Sequence, residues 1–179
     1  MLSQDTINAL FDMSYGLYIV SSCDGEKLNG QLANSVMQVT AEPAKMAVVI
    51  HKSNLTHEYI TKSGVYTVSV VAEGAPMTFI GTFGFKTGRN EDKFAKVRHE
   101  KTRSGTPVVL DNTLSFFEVK VTQTVDVGTH TIFIGEITNG RIIADGKPLT
   151  YDYYYHVMRG KTPRNATTYK PVQTQTEGK

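Results

Sequence analysis

Cysteine is almost absent from this chain. Cys23 stands alone, which excludes an internal disulfide framework and favours a reducing, cytoplasmic setting. Tryptophan is missing altogether and the formal net charge is only +2, so the chain lacks both the stacking platform and the electrostatic footprint of a nucleic-acid binder. No apolar run approaches the length that spans a bilayer, and the first residues show no basic stretch followed by a hydrophobic core. Neither a membrane span nor a secretory signal is therefore expected. No GxSxG elbow, no P-loop and no GxGxxG after a strand occurs, which removes the usual grounds for a hydrolase, a kinase or a Rossmann domain. The five histidines fall in no HxxxH or cysteine-containing ligand pattern, so no metal site is expected. Cys23 has no histidine near it in sequence and reads as an inert thiol.

With 179 residues, 40% of them hydrophobic and 20% charged, the chain has the size and composition of one ordinary globular domain. Ile7, Leu10 and Phe11 recur at helical spacing behind Ser3, a residue type that caps helices. Residues 15–22 read as a strand, 23–30 with Asp24-Gly25 as a turn or loop, and 65–71 as another strand. A helix is expected over 55–62, ended by Gly64, and a shorter one over 76–83 with Pro76 in its first turn. Residues 84–94 turn to glycine and charge, the composition of a functional loop. Residues 114–127 and 130–143 are long β-rich runs joined by a hairpin signal at Val127-Gly128-Thr129, and Asn139-Gly140 reads as a further turn. About six strands with two or three short helices point to a mainly β fold, an antiparallel barrel closed or partly closed.

The stretch from 28 to 57 organises the rest. Residues 32–40 have strand character, yet Ala33, Asn34, Ser35 and Gln38 stand where a core strand carries aliphatics. On an unbroken strand, Leu32, Asn34, Val36 and Gln38 would share one face. An exposed edge strand gives the same pattern. Pro43 stops the run, and residues 46–50 form a short buried strand. His51, Lys52, Ser53, Asn54 and Thr56 follow at a helix start, where free amides and the helix dipole favour an anion. Ordinary helix capping accounts for the same residues equally well. Arg89 and Lys93, in the glycine-rich loop, are candidates to meet a phosphate, although a solvated loop would carry the same charges.

Taken in order, the segments 29–31, 33–40 and 52–57, with Pro43 between the last two, resemble the flavin reductase family with the FMN-binding split-barrel fold. Residues 88–94 (GRNEDKF) and 128–136 (GTHTIFIGE) strengthen the likeness. Residues 159–166 (RGKTPRNA) resemble the branch that contains flavoredoxins and the flavin domain of high-molecular-weight rubredoxins. The likeness runs over about residues 5–169. It implies a flavin reductase-like FMN-binding domain over 1–159. Residues 160–179, polar with scattered prolines, read from composition as an exposed tail.

The resemblance further implies non-covalent FMN, with its ring system against Asn29, Gln31, Ala33, Asn34, Ser35, Val36 and Gln38. It places the ribityl phosphate at His51, Lys52, Ser53, Asn54 and Thr56, with Arg89 closing over that end and Lys93 beside it. NADH or NADPH would be the electron donor, and His130, the catalytic candidate, would lie near the nicotinamide or the reduced flavin. In the family the histidine follows Gly-Asp, whereas Gly128-Thr129 stands here, so the usual carboxylate partner of the imidazole is missing. The resemblance also implies a homodimer. Because no CxxC pair is present, an iron partner such as rubredoxin would be a separate protein. A flavin reductase is the first expectation; an electron carrier that takes electrons from a protein and not from NAD(P)H is the alternative.

Overall fold

In the computed structural model, which describes residues 2–169, two strands far apart in the sheet are neighbours in the chain. β1 (Tyr18–Asp24) is followed by β2 (Lys27–Ala33), β3 (Val36–Ala41), β4 (Ala44–His51) and β5 (Val65–Val71). β6 (His99–Lys101) and β7 (Pro107–Val109) form a separate small ribbon; β8 (Thr113–Asp126) and β9 (His130–Ile142) form the long hairpin. The main sheet has seven strands in the order β2-β1-β5-β8-β9-β4-β3, with every neighbouring pair antiparallel. β2 and β3 are thus its opposite edges, yet only Asn34 and Ser35 separate them. A link of that length reaches about 10 Å at most, so the edges must come together. The sheet curls into the expected antiparallel split barrel, with its seam at Asn34 and Ser35.

Period-2 alternation sorts side chains to the two faces of the sheet. Val20, Val48, Ile50, Val68, Val119 and Phe133 fill the barrel with Tyr66 among them. Tyr66 is fully buried, and its hydroxyl donates to the Met46 carbonyl at 2.9 Å, tying β5 to β4 across the interior. Burial raises its pKa well above the ordinary phenol value. Ile19, Val71 and Leu149 point the other way, into a second core under α3 (Met77–Gly84), which contributes Phe79, Ile80 and Phe83. α2 (Leu55–Ser63) packs on β1 and β2 and ends at Gly64, whose φ of 68° suits a residue without a Cβ. Among the described residues no helix is long and apolar enough to cross a membrane.

Several local expectations change. Residues 23–30 are not a loop: β1 runs to Asp24, only Gly25 and Glu26 turn, and β2 begins at Lys27. The run over 32–40 is two strands broken at Asn34 and Ser35, so Gln38 does not share a continuous face with Asn34. Asn139-Gly140 does not turn the chain. It lies inside β9, where Asn139 faces Glu118 and Ile137 faces Val119, so the pair borders a bulge. Ser3 caps α1 (Gln4–Ala9) through the Thr6 amide at 3.2 Å as expected, but Leu10 and Phe11 stay exposed. Residues 160–169 are not a free tail; they lie along the seam and bond to it. The remainder of the expected tail, 170–179, lies outside the described residues.

Candidate functional site

A cleft runs along β2, between the start of α2 on one side and residues 161–168 on the other. Alternation on β2 creates it. Leu28 and Leu32 pack into the α3 core, which turns Asn29, Gln31 and Ala33 the other way. The cleft has a wider end of about 230 Å³ at α2 and a narrow slot at the seam. Gln31, Phe85, Pro163 and Asn165 border both parts.

At the α2 end the polar groups are buried and fixed. Asn29 is 3% exposed and its Nδ2 donates to Oγ1 of the fully buried Thr56 at 2.8 Å. Its Oδ1 has no hydrogen-bond partner. Gly88 lies so close that a Cβ there would stand 2.0 Å from this oxygen, so the loop can approach only because residue 88 is glycine. Lys93 is 3% exposed and its Nζ donates to the Gly30 carbonyl at 2.9 Å. It forms no ion pair within the described residues, and burial depresses its pKa to about 8. The Glu91 charge opposes that shift only in part. A buried cation without a contact counterion, beside an orphaned amide oxygen, is expensive unless a ligand completes the set.

The start of α2 does not cap itself with side chains. Asn54 occupies the N-cap position, but its Nδ2 donates to Gln31 Oε1 at 3.0 Å and its Oδ1 accepts from Asn165. Ser53 turns instead to His51, whose Nδ1 accepts from the Ser53 amide at 3.1 Å and contacts its hydroxyl at 2.8 Å. The first amides of the helix therefore remain available where Ser53, Asn54 and Thr56 line the cleft. Simple capping does not account for these residues.

The slot is built from Gln31, Ala33, Asn34 and His51 on the sheet and from Thr162, Asn165 and Thr167 opposite. Asn34 Nδ2 donates to Thr168 Oγ1 at 2.8 Å, and Asn34 Oδ1 accepts from Thr167 at 3.0 Å. The Ser35 and Thr167 hydroxyls meet at 2.5 Å. His130 packs its ring edge-on to His51, 4.8 Å between centroids, and does not itself border the slot. Its Nδ1 meets the Thr129 hydroxyl at 2.8 Å, so threonine orients the ring in place of the missing aspartate. Nε2 is buried and makes no well-aligned hydrogen bond, its nearest polar neighbour being the main chain of Asn165. Burial lowers the pKa of the ring, the His51 charge adds to this, and the Asn165 main chain opposes it.

Asn29, Gln31, Ala33, Asn34, His51, Ser53, Asn54 and Thr56 thus gather on one cleft. The structure does not bring Val36, Gln38, Lys52 or Arg89 to it. Gln38 is exposed on β3 and bonds to the Thr40 carbonyl at 3.3 Å. Lys52 pairs with Asp126 at 2.7 Å, and Arg89 with Glu58. Of the two loop cations that the sequence offers to a phosphate, Lys93 borders the α2 end and Arg89 does not. Asn165 and Thr167, on the wall opposite the sheet, carry no signal from periodicity or charge at all.

A family model described as "Flavin reductase like domain" matches residues 10–158. A protein named high molecular weight rubredoxin from Moorella thermoacetica is 46% identical over 161 residues, which is 90% of this chain and 70% of that protein. Ferric-chelate reductase (NAD(P)H) from Archaeoglobus fulgidus is 41% identical over 163 residues, 91% of this chain and 96% of that one. Among solved structures, flavin reductase PheA2 in its native state superimposes with a TM-score of 0.69 at 26% identity, covering 84% of this chain and 93% of that one.

Proposed function

The chain belongs to the flavin reductase-like domain family, and from that premise we propose that it is an NAD(P)H-dependent flavin reductase that carries FMN in the cleft along β2. One observation carries the placement: a buried, unpaired lysine and an orphaned amide oxygen sit together beside free helix amides. That donor set suits a phosphate ester with hydroxyls next to it. Lys93, Ser53, Thr56 and the first α2 amides hold the phosphate end, and Asn29 Oδ1 accepts from a ribityl hydroxyl. Gln31, Ala33, Asn34 and Asn54 face the ring system. When bound, FMN supplies the redox chemistry, accepting hydride from NADH or NADPH and releasing electrons to an acceptor.

The protein supplies position and electrostatics. His51 borders the slot with Nδ1 occupied by Ser53, which leaves Nε2 to carry its proton. His130 backs it, held by Thr129, and we assign this pair to the nicotinamide side of the site. The reading includes a cytoplasmic homodimer. Met37 and Val39, exposed on β3, support a partner copy, and the buried free thiol of Cys23 suits a reducing compartment. A second reading, an electron carrier serving a redox protein such as rubredoxin, draws on the likeness to the Moorella protein.

A visible spectrum of the purified protein, taken before and after anaerobic NADH and then NADPH, tests this. Flavin absorbance bleached by a nicotinamide supports the reductase. Flavin that ignores both supports the carrier. A protein that neither holds nor takes up FMN overturns both readings.

A further inference from the structure

The segment after Gly160 was expected to be a tail, and it is the outer wall of the cleft. It is anchored at its base: Tyr154 Oη donates to the Lys161 carbonyl at 2.8 Å, and the Tyr151 and Thr162 hydroxyls meet at 2.5 Å. Gly160 is buried so tightly on Tyr154 that a Cβ would stand 2.1 Å from the ring. From this base the chain crosses the slot and attaches through Asn165 to Asn54 at the start of α2 and through Thr167 to Asn34 and Ser35 at the seam. Pro163, Asn165 and Ala166 border both the slot and the α2 end, so one short segment faces the whole length of the site. Across from it lies Asn29, nine-tenths buried or more, with its acceptor unpartnered.

We propose that residues 161–168 form a strap that closes over the bound flavin, with Asn165 and Thr167 as binding residues, and that it retains FMN as a resident group. This rests on the placement of FMN given above. The anchoring explains why the wall persists: its base is tied into the Tyr151–Tyr154 core, while its distal contacts are side-chain hydrogen bonds that can open and re-form. A strap held so loosely at one end admits the ligand and then slows its escape. In an open-cleft reductase, by contrast, flavin would exchange freely.

Trypsin offers a direct test because Arg164 lies within the strap and Arg103 lies in the remote turn between β6 and β7. Cleavage after each is followed by mass spectrometry on the full chain, with and without saturating FMN. The strap predicts cleavage after Arg164 slowed by FMN about tenfold or more relative to Arg103, since cleavage needs the open form. Unchanged or faster cleavage after Arg164 overturns it, faster cleavage meaning that flavin displaces the strap. Asn165→Ala with Thr167→Val gives the second measurement. FMN release, read as recovery of flavin fluorescence, should quicken about tenfold, the loss of two side-chain hydrogen bonds. Equal release rates in the two proteins overturn the proposal. Failure of the unaltered protein to bind FMN at all would instead sink the placement on which it rests.

Discussion

The two ends of the cleft solve recognition differently. At the α2 end, Asn29, Thr56 and Lys93 are removed from water and locked by buried hydrogen bonds, and the structure leaves one cation and one acceptor unanswered. At the seam, Asn34 and Ser35 are satisfied by Thr167 and Thr168 through contacts that solvent reaches. The first end is set for charge before any ligand arrives; the second can rearrange around a flat ring. Affinity should therefore reside mostly at α2, and retention mostly at the strap.

Lys93→Met should break that comparison most severely. A buried charge-assisted contact is worth about 1.5–3 kcal/mol, so FMN affinity should fall roughly 10- to 100-fold by titration. The same substitution should raise the melting temperature of the FMN-free protein, because it removes a desolvated cation. The pH dependence gives the signature. Burial lowers the folded-state pKa of Lys93 to about 8 from an ordinary 10.5, so the unfolded chain keeps this proton to higher pH. Its destabilisation is full below about pH 8 and is relieved as pH rises from there toward the unfolded value. A phosphate selects the protonated lysine, so FMN affinity should decline above pH 8, by at most about tenfold per pH unit. In Lys93→Met this decline should vanish. A flat profile in the unaltered protein would remove Lys93 from the phosphate.

Thr56→Val should have a smaller effect at the same end. It keeps the shape but removes the hydroxyl that accepts from Asn29, leaving a buried amide donor unpaired at a cost of about 1–3 kcal/mol. FMN affinity should drop about five- to tenfold and thermal stability should fall with it. Opposite signs in apo stability for Lys93→Met and Thr56→Val separate a group that awaits a ligand from one that supports the fold. Equal destabilisation would erase that distinction.

How far these ends were legible in the sequence follows from what each kind of signal can carry. Hairpin spacing at Gly128, the breaks at Pro43 and Gly64, and the apolar run of β4 are local, and local rules read them correctly. The seam at Asn34 and Ser35 has the local pattern of a continuous strand, because nothing nearby in sequence shows that β2 and β3 are opposite edges. Lys93 and Arg89 look alike as charges in one loop. Only packing distinguishes them: one is buried against the Gly30 carbonyl of β2, and the other meets Glu58 on the surface. The strap was the least legible part. Its residues are polar, short and without period, and its role comes from partners more than a hundred positions away.

Lys52 sharpens the comparison by having the least to lose. Its position beside Ser53 and Asn54 made it the obvious cation for a phosphate, yet its side chain is 40% exposed and points to Asp126 at the end of β8, with Nζ 2.7 Å from the carboxylate. That pair stands in water, where such contacts contribute about 0–1 kcal/mol and are screened by salt. The Lys52 ammonium holds the Asp126 carboxyl below its usual range, helped by the Gly128 amide, so the hairpin tip gains a small local brace. Lys52→Ala should therefore change FMN affinity less than about twofold and lower the melting temperature slightly, with the difference shrinking in high salt. An affinity loss near that of Lys93→Met would mean that Lys52 leaves Asp126 for the ligand, and that the α2 end is no more pre-formed than the seam.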